Sequence, residues 1–547
     1  MQEQMVWGAL SLLRVVWCLV PQKGYLHPDE FFQSPEVMAG DILGLEINRP
    51  WEFLPVFPCR TVLIPLLTSG TAFWIVEILR RLGFETAVNC GYILLVLPRL
   101  FITVLSFVLD YTVYQVAPAW GSNPWKALVL LAMSHVMLVF YTRTISNAIE
   151  GMLFAVLLLL TSSGKCNITV TGMVLAAGFF NRPTFLCFAF MPVLYKVSQS
   201  DKSQFSYTAA MFNLIRMLPS VMFTSLIFMV ADTMYYTGHY PVSINCTEGL
   251  FNQVIQNTIL TPLNFLRYNL NPRNLAQHGV HPPITHLAVN GLMLFGALHV
   301  YALCSGINMI KHKIWLKSNV QKSENGQQSL QQNSLLLMFY FAPLLLMSLF
   351  KHQEPRFLIP LVLPLVLLVS NYNRTVKTKC VIVLFNVLGA LFFGCLHQAG
   401  LIPSLFHIQQ IVQSASSGNM SSHHTILFTH TYMPPYYLLG LQKGQTSVGI
   451  IDLAGMPEVH LCQKLQGLQA DLSHRNSREL GTKRHHFIIV FPGTIRSLVE
   501  TCGLVHNAET FFTPHLSMED PPMISHLFTG NLISHIALHI IEVNVDT

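Results

Sequence analysis

The chain has 547 residues, of which 52% are hydrophobic and only 11% are charged. A soluble domain carries about 25% charged residues, so this composition excludes an ordinary soluble globule and requires lipid as part of the solvent. The formal net charge is +6, and no dense Lys/Arg patch accompanies it, which argues against a nucleic-acid partner.

Apolar runs recur up to about residue 397 and predict about eleven membrane helices. The first run lacks a basic cluster before it and a small-residue cleavage site after it, so it is predicted to be retained as a helix. Arg14 inside it is expected to pack against protein. The predicted spans are 5–20, 61–80, 89–116, 125–141, 148–162, 169–195, 210–236, 285–310, 334–350, 356–371 and 379–396.

Basic residues between the spans predict the orientation, because Lys and Arg concentrate in cytosolic loops. All the basic loops fall on one side if the N-terminus is cytosolic, and an odd number of spans then places the C-terminus in the lumen. These basic residues are Arg80, Arg81, Lys196, Lys202, Lys311, Lys313, Lys317, Lys322, Arg374, Lys377 and Lys379.

The sequence contains four N-glycosylation sequons. The predicted orientation places Asn167, Asn245 and Asn419 in the lumen, where they would be glycosylated, and Asn373 in the cytosol, where it would not.

The composition divides the chain into a catalytic membrane domain, 1–397, and a luminal α/β domain, 398–547. Short β-rich runs at 425–429, 448–453, 486–491 and 538–543 alternate with possible helices at 457–472 and 494–502. In an oxidising lumen, Cys462 and Cys502 are candidates for a disulfide.

The sharpest candidate site is the sequence HPDEFFQ in the first luminal loop. Asp29 and Glu30 are adjacent carboxylates beside His27, and such like-charge proximity is unfavourable unless the charge has a function. The alternative is the capped start of a surface helix, with Pro28 in its first turn. The spacing alone does not separate these two interpretations.

Further candidates are polar groups at the ends of apolar runs. The hairpin that begins at Lys351 places a base, an amide, an acid and a guanidinium at one membrane surface. Asp232 and Arg267 belong to a luminal stretch suited to a polyol or a phosphate, and Arg182 lies within the sixth predicted span. The hairpin's functional candidates are His352, Gln353, Glu354 and Arg356.

No metal-ligand pattern stands out in the sequence, which fits chemistry without an obligatory metal or other cofactor. The sequence has neither HExxH nor a Cys/His pair at zinc spacing. The adjacent pairs His423–His424 and His485–His486 are predicted to be surface residues.

One carboxylate with several cations suits glycosyl transfer from a lipid-phosphate donor. A phosphate leaving group needs cationic stabilisation rather than a proton, and one carboxylate can serve as base on the acceptor hydroxyl. Asp29, or alternatively Glu30, is the predicted base, and Arg356, His352 and Arg267 are predicted to stabilise the phosphate. Attack at the anomeric carbon would invert its configuration.

The motifs HPDEFFQSPEV, HQEPRFLIPL, GFFNRPTFL and YTRTISNAIEG together resemble glycosyltransferase family 22. The resemblance implies a GT-C fold, the endoplasmic reticulum membrane and dolichyl-phosphate mannose as donor. Within the family the likeness is to members that add a fourth, α-1,2-linked mannose to the third mannose of the glycosylphosphatidylinositol (GPI) precursor. It implies Asp29 and, less directly, Glu30 as the catalytic acid.

Two alternatives stay open. The same chemistry serves other acceptors, namely the GPI precursor at its third mannose or the N-glycan precursor. A multispan transporter is the rival from another class, but no inverted repeat supports it.

Overall fold

A computed structural model describes most of the chain and divides it into two compact units. The described residues are 1–84, 90–162, 167–198, 207–238, 258–271, 273–274, 279–316, 324–372, 375–416, 421–445, 447–478, 483–518, 520–522 and 532–543. The first unit comprises Met1–Cys18, Arg49–Thr68 and Arg99–Val387, and the second comprises Leu19–Asn48, Ser69–Pro98 and Leu388–Thr547.

The first unit is helical. Among the described residues of the whole chain, four helical segments are long and apolar enough to cross a bilayer by length and composition: Leu63–Arg81, Gly91–Val116, Tyr207–Tyr236 and Val376–Leu396. The remaining helices built mainly from this unit are Gln2–Leu19, Pro124–Met133, Ser146–Ser162, Ile168–Asn181, Phe185–Ser198, Thr261–Leu270, Gly291–Phe295, Ala297–Leu316, Glu324–Met347, the 3₁₀ helix Pro355–Leu361 and Val362–Ser370.

The charge in the first helix is satisfied as the sequence predicts. Arg14 is 1% exposed, and its guanidinium donates to the Asp110 carboxylate at 2.8 Å. The Trp7 indole donates to the other oxygen of the same carboxylate at 2.9 Å. One acid therefore binds two positions of the first helix, about two turns apart, to the helix Phe107–Val116.

The predicted single span 169–195 is wrong. The chain forms two helices here, Ile168–Asn181 and Phe185–Ser198, and Arg182 between them has an extended backbone (φ −155°, ψ 126°). Pro183 disfavours a helical conformation at the residue before it, which ends the first helix. Each helix has 14 residues and is therefore only about 21 Å long, against roughly 30 Å of bilayer hydrocarbon.

Contacts of the first helix argue against the predicted crossing by 61–80. The start of the first helix lies beside residues 114–126, since Trp7 and Tyr114 both contact the Trp125 ring. The end of that helix lies beside residue 92, since the Tyr92 hydroxyl donates to the Leu19 carbonyl at 2.7 Å. The segment 20–90 therefore begins and ends beside the same end of the first helix. This arrangement argues against a single crossing by Leu63–Arg81, although the length and composition of that helix suffice for one.

If the two short helices each cross the bilayer, these two changes leave the expected number of crossings at about eleven. This corrected pattern places Arg80 and Arg81 on the side opposite the N-terminus. It places Asn167, which caps the helix Ile168–Asn181 through a hydrogen bond from the Val170 N–H, on the N-terminal side.

The corrected crossings predict that Asn167 carries no glycan, because it lies on the side assigned to the cytosol. Asn167→Gln should leave the electrophoretic mobility of the expressed protein unchanged, before and after glycosidase treatment. Asn245 and Asn419, which lie outside the described residues, are the matched controls. A mobility shift for Asn167→Gln alone would contradict the corrected crossings.

The second unit contains a five-stranded mixed sheet. Its strands are β1 (Ser421–Phe428), β2 (Val448–Asp452), β3 (Lys483–Pro492), β4 (His506–Phe512) and β5 (Leu538–Val543), in the order β2-β1-β3-β5-β4. β1 pairs in parallel with β2 and β3, whereas β5 is antiparallel to β3 and β4. The unit also contains the helices Asp29–Phe32, Pro35–Leu43, Thr71–Arg81, Leu401–Ser416, Glu458–Arg478, Arg496–Thr501 and Leu532–His535.

One face of the sheet forms a core with the helix Glu458–Arg478. Leu461 and Leu465 from the helix pack with Phe487 and Ile489 from β3, all of them fully buried. The Cys462–Cys502 disulfide is present and joins this helix to the end of Arg496–Thr501. The predicted α/β character of the C-terminal part is therefore confirmed.

The predicted domain boundary at residue 398 is drawn from a change in composition. The two compact units are defined by contacts within the structure, and they divide the chain differently. The sheet unit also contains residues 19–48 and 69–98. The acidic loop around Asp29 therefore belongs to the same compact unit as the C-terminal sheet.

Candidate active site

The acid turn, residues 27–33, presents one accessible carboxylate. Pro28 precedes the short helix Asp29–Phe32, and the Asp29 N–H donates to His27 Nδ1 at 3.1 Å. The Gln33 amide donates to the Asp29 carboxylate. The side chain of Asp29 is 23% exposed, whereas Glu30 is fully buried. Of the two predicted acids, Asp29 is therefore the one that a substrate can reach.

Tyr25 forms the floor beneath this turn. It is fully buried, its hydroxyl donates to the Met433 carbonyl at 2.9 Å, and its ring packs edge-on against Phe31 and Tyr432. The Tyr25 N–H donates to the His397 carbonyl at 2.9 Å. Burial, followed by the nearby acids Glu30 and Glu36, raises the pKa of Tyr25 well above its usual value, so the phenol stays neutral.

Glu36 joins the acidic loop to the C-terminal segment. This fully buried carboxylate accepts hydrogen bonds from the backbone N–H groups of Asn48 at 2.9 Å, Tyr436 at 3.1 Å and Tyr437 at 3.5 Å. Burial raises its pKa to about 8, and the three N–H donors oppose that rise. Glu36 is a functional residue that the sequence did not reveal, although it lies in the same HPDEFFQSPEV motif.

We expect the stability of this unit to fall as pH rises through the range set by Glu36. The folded pKa of about 8 lies above the ordinary value of 4.5, so the folded state retains a proton that the unfolded chain releases. The stabilisation is complete below about pH 4.5 and is lost as pH approaches 8. Glu36→Gln, which mimics the protonated acid, should flatten the decline of thermal unfolding temperature with pH.

Glu46→Gln provides the matched control for that measurement. Glu46 lies on the same loop, is partly exposed and accepts only from the Gly444 N–H in the described structure. Glu46→Gln should show the same decline of thermal unfolding temperature with pH as the unmodified protein. An unchanged pH dependence in Glu36→Gln would show that Glu36 is not the titrating group.

In the first unit, the late hairpin forms an acid-centred cluster. The Glu354 carboxylate contacts His352 Nε2 at 2.6 Å through one oxygen and the Arg356 guanidinium through the other. The Phe357 ring lies 5.4 Å from Arg356 and 5.1 Å from Arg182. The structure thus brings together Arg356, His352, Glu354 and Arg182, which the sequence predicted separately.

Gln353 holds this hairpin in place. Its carbonyl oxygen accepts from the His286 N–H at 3.0 Å, and its amide donates to the carbonyls of Ser348 and Phe350, both at 3.0 Å. The residue is 2% exposed. Its geometry is that of a side chain that fixes the backbone around His352.

Arg182, in the motif GFFNRPTFL, contacts residues of the motif YTRTISNAIEG. Its guanidinium donates to the Ser146 hydroxyl at 3.0 Å and lies 3.9 Å from Glu150, which also accepts from the Thr184 hydroxyl at 2.7 Å. The break after Asn181 places Arg182 at a helix end rather than inside a span. The predicted position of Arg182 within the sixth span is therefore wrong.

The Asp232 carboxylate, near the end of the helix Tyr207–Tyr236, binds two other segments of the chain. One carboxylate oxygen accepts from the Thr61 hydroxyl at 2.8 Å and the Val62 N–H at 2.9 Å, and the other accepts from the Thr261 hydroxyl at 2.8 Å. The residue is fully buried. Arg267, on the helix Thr261–Leu270, is exposed, and no described residue forms an ion pair with it.

The histidine pairs of the sheet differ in part from expectation. Parallel pairing of β1 with β3 stacks His424 on His486, with ring centroids 4.8 Å apart. His424 is 2% exposed, so the predicted surface position is wrong for this residue. Burial lowers its pKa to about 4. The described residues contain no group of three or more ligating side chains placed to hold a metal ion.

Apolar helices that end in polar clusters, together with an accessible carboxylate in the acid turn, define an integral membrane protein with a site suited to acid–base chemistry. The chain belongs to the Alg9-like mannosyltransferase family, whose model matches residues 5–439. This match confirms the family that the motifs predicted.

Two relatives extend the comparison. GPI alpha-1,2-mannosyltransferase 4 of Homo sapiens is 45% identical over 566 aligned residues, which cover 100% of this chain and 95% of the human protein. GPI mannosyltransferase 4 of Drosophila melanogaster is 26% identical and covers 94% of this chain and 86% of its own length. The crystal structure of ArnT from Cupriavidus metallidurans bound to undecaprenyl phosphate covers 92% of this chain and 96% of its own, with a TM-score of 0.42 and 9% identity.

Proposed function

We propose that this membrane mannosyltransferase adds an α-1,2-linked mannose to the third mannose of the GPI precursor, with dolichyl-phosphate mannose as donor. The proposed fold is GT-C. The acceptor is supported by the human relative, whose similarity covers the whole chain. The observation that carries the chemistry is the contrast between the accessible Asp29 and the fully buried Glu30.

Asp29 is the proposed base. Its carboxylate takes the proton from the 2-hydroxyl of the acceptor mannose as the hydroxyl oxygen attacks the anomeric carbon of the donor. The bond from that carbon to the phosphate oxygen breaks, and the phosphate leaves with the electron pair. An α-linked product formed by inversion requires a β-linked donor. The hydrogen bond from Gln33 orients Asp29, and Glu30 has a structural role.

The late hairpin is the proposed phosphate-stabilising element. Arg356 is oriented by Glu354, and its guanidinium offers further donors to an anion. His352, 19% exposed and bonded to the same acid, contributes a further donor when it is protonated. Arg267 remains a candidate because it is exposed. Gln353 and Asp232 hold the surrounding backbone, whereas Arg182 binds the side chains of Ser146 and Glu150.

The proposed location is the endoplasmic reticulum membrane, with a cytosolic N-terminus and a luminal sheet unit. The Cys462–Cys502 disulfide supports an oxidising compartment for that unit. No obligatory metal or other cofactor is proposed, since a phosphate leaving group can be stabilised by the protein's own cations.

Asp29→Asn should reduce transfer by about 10²–10⁴-fold, because the amide cannot accept the acceptor's proton. The measurement is mannose transfer from dolichyl-phosphate mannose to a three-mannose GPI acceptor by purified, detergent-solubilised protein. Asp41→Asn, a change of the same kind on the same loop, is the control and should retain activity. Near-normal transfer by folded Asp29→Asn would remove Asp29 from the base role.

Arg356→Ala should weaken donor use by about tenfold or more in kcat/KM, with a smaller effect on the KM for the acceptor. The physical reason is the loss of a charge-assisted contact to phosphate, worth about 1.5–3 kcal/mol. Initial rates over a matrix of donor and acceptor concentrations separate the two effects. An equal change in both KM values, or an unchanged donor dependence, would place Arg356 outside the phosphate site.

A further inference from the structure

A cavity lies at the end of the first unit where the N-terminus is found. Its volume is about 470 Å³, within the range of about 300–1,000 Å³ that small-molecule sites occupy. The helices Gln2–Leu19, Pro124–Met133 and Val376–Leu391 each contribute residues to its lining. The residues that line it are Glu3, Lys126, Val129, Leu130, Met133, Tyr372, Lys379, Ile382 and Val383.

The charged and the apolar residues of the lining occupy different levels along the helices. Lys126 and Lys379 are exposed, and neither has an ion-pair partner in the described parts of the chain. Glu3 is the single acid of the lining, so the two lysines leave a net positive rim. One or two turns further along the same helices the lining is purely aliphatic, and it includes the nearly fully buried Leu130 and Ile382. The cavity therefore has a charged mouth above an apolar wall.

Aromatic residues mark the depth of this mouth in the bilayer. Trp125, next to Lys126, packs edge-on against Trp7 at 6.1 Å and Tyr114 at 5.2 Å. Trp and Tyr are enriched at the membrane–water interface, where headgroups lie. The lysines are thus at headgroup level, and the aliphatic wall faces the level of the acyl chains.

We propose that this cavity binds an anionic glycerophospholipid of the leaflet on the N-terminal side, with phosphatidylserine as the best fit. The phosphate and carboxylate of that headgroup complement Lys126 and Lys379, and its ammonium complements Glu3. The acyl chains lie along Val129, Leu130 and Met133. Basic pockets between membrane helices on the cytoplasmic side bind anionic headgroups for the same electrostatic reason.

The position of Lys126 supports the proposed lipid site, and this support does not depend on the proposed mannosyl transfer. If 61–80 crossed the bilayer as the sequence predicts, Lys126 and Lys379 would lie on opposite sides. In the structure they line one cavity. Glu3 in the lining places the cavity at the N-terminal end of the first unit.

The test is native mass spectrometry of the purified full-length chain with added phosphatidylserine or phosphatidylcholine. The double variant K126Q/K379Q should retain phosphatidylserine at least about tenfold less than the unmodified chain, with phosphatidylcholine retention unchanged. K377Q, a lysine on the same helix that does not line the cavity, should behave like the unmodified chain. K126R/K379R should also keep phosphatidylserine, which separates loss of charge from misfolding.

The proposal is overturned by any of three results. The double variant could retain phosphatidylserine as well as the unmodified chain, it could lose both lipids equally while K126R/K379R retains them, or K377Q could lose phosphatidylserine to the same extent as the double variant.

Discussion

The buried Glu36 carboxylate is the interaction on which the geometry of the acid turn depends. A carboxyl group removed from water costs several kcal/mol unless hydrogen bonds replace those of water. Here three backbone N–H groups do so, and they come from two segments almost 400 residues apart in sequence. The acidic loop and the segment that follows β1 are therefore fixed to each other, and the turn that carries Asp29 lies seven residues before this anchor.

The membrane imposes the second constraint. Each polar side chain near a span must find a partner, and the chain supplies these partners at breaks between helices. Arg182 occupies the break made by Pro183, and Asp232 receives three donors from residues 61, 62 and 261. Several sequence motifs of the family are thus explained first by packing. The hairpin around Glu354 differs, because the His352 side chain is 19% exposed and shares one acid with the buried Arg356.

Much of the fold was predictable where one physical signal dominated. The β-rich runs at 448–453 and 538–543 correspond to β2 and β5 almost residue for residue. β4 was missed because most of its residues are exposed, so it has no strong apolar alternation. Leu63–Arg81 was misjudged because its length and hydropathy fit a crossing, and only contacts made by Trp7 and Tyr92 reveal where its neighbours lie. Glu36 could not be recognised, since its three donors are backbone groups of distant residues.

One accessible carboxylate suffices for the proposed transfer, because the phosphate leaves without a proton and the acceptor oxygen attacks the anomeric carbon directly. The anomeric configuration of the new glycosidic bond tests this chemistry, measured by NMR on product made from a donor of defined β configuration. We expect complete inversion to an α-1,2 linkage. Retention of configuration would require a covalent intermediate on a second nucleophile and would contradict it.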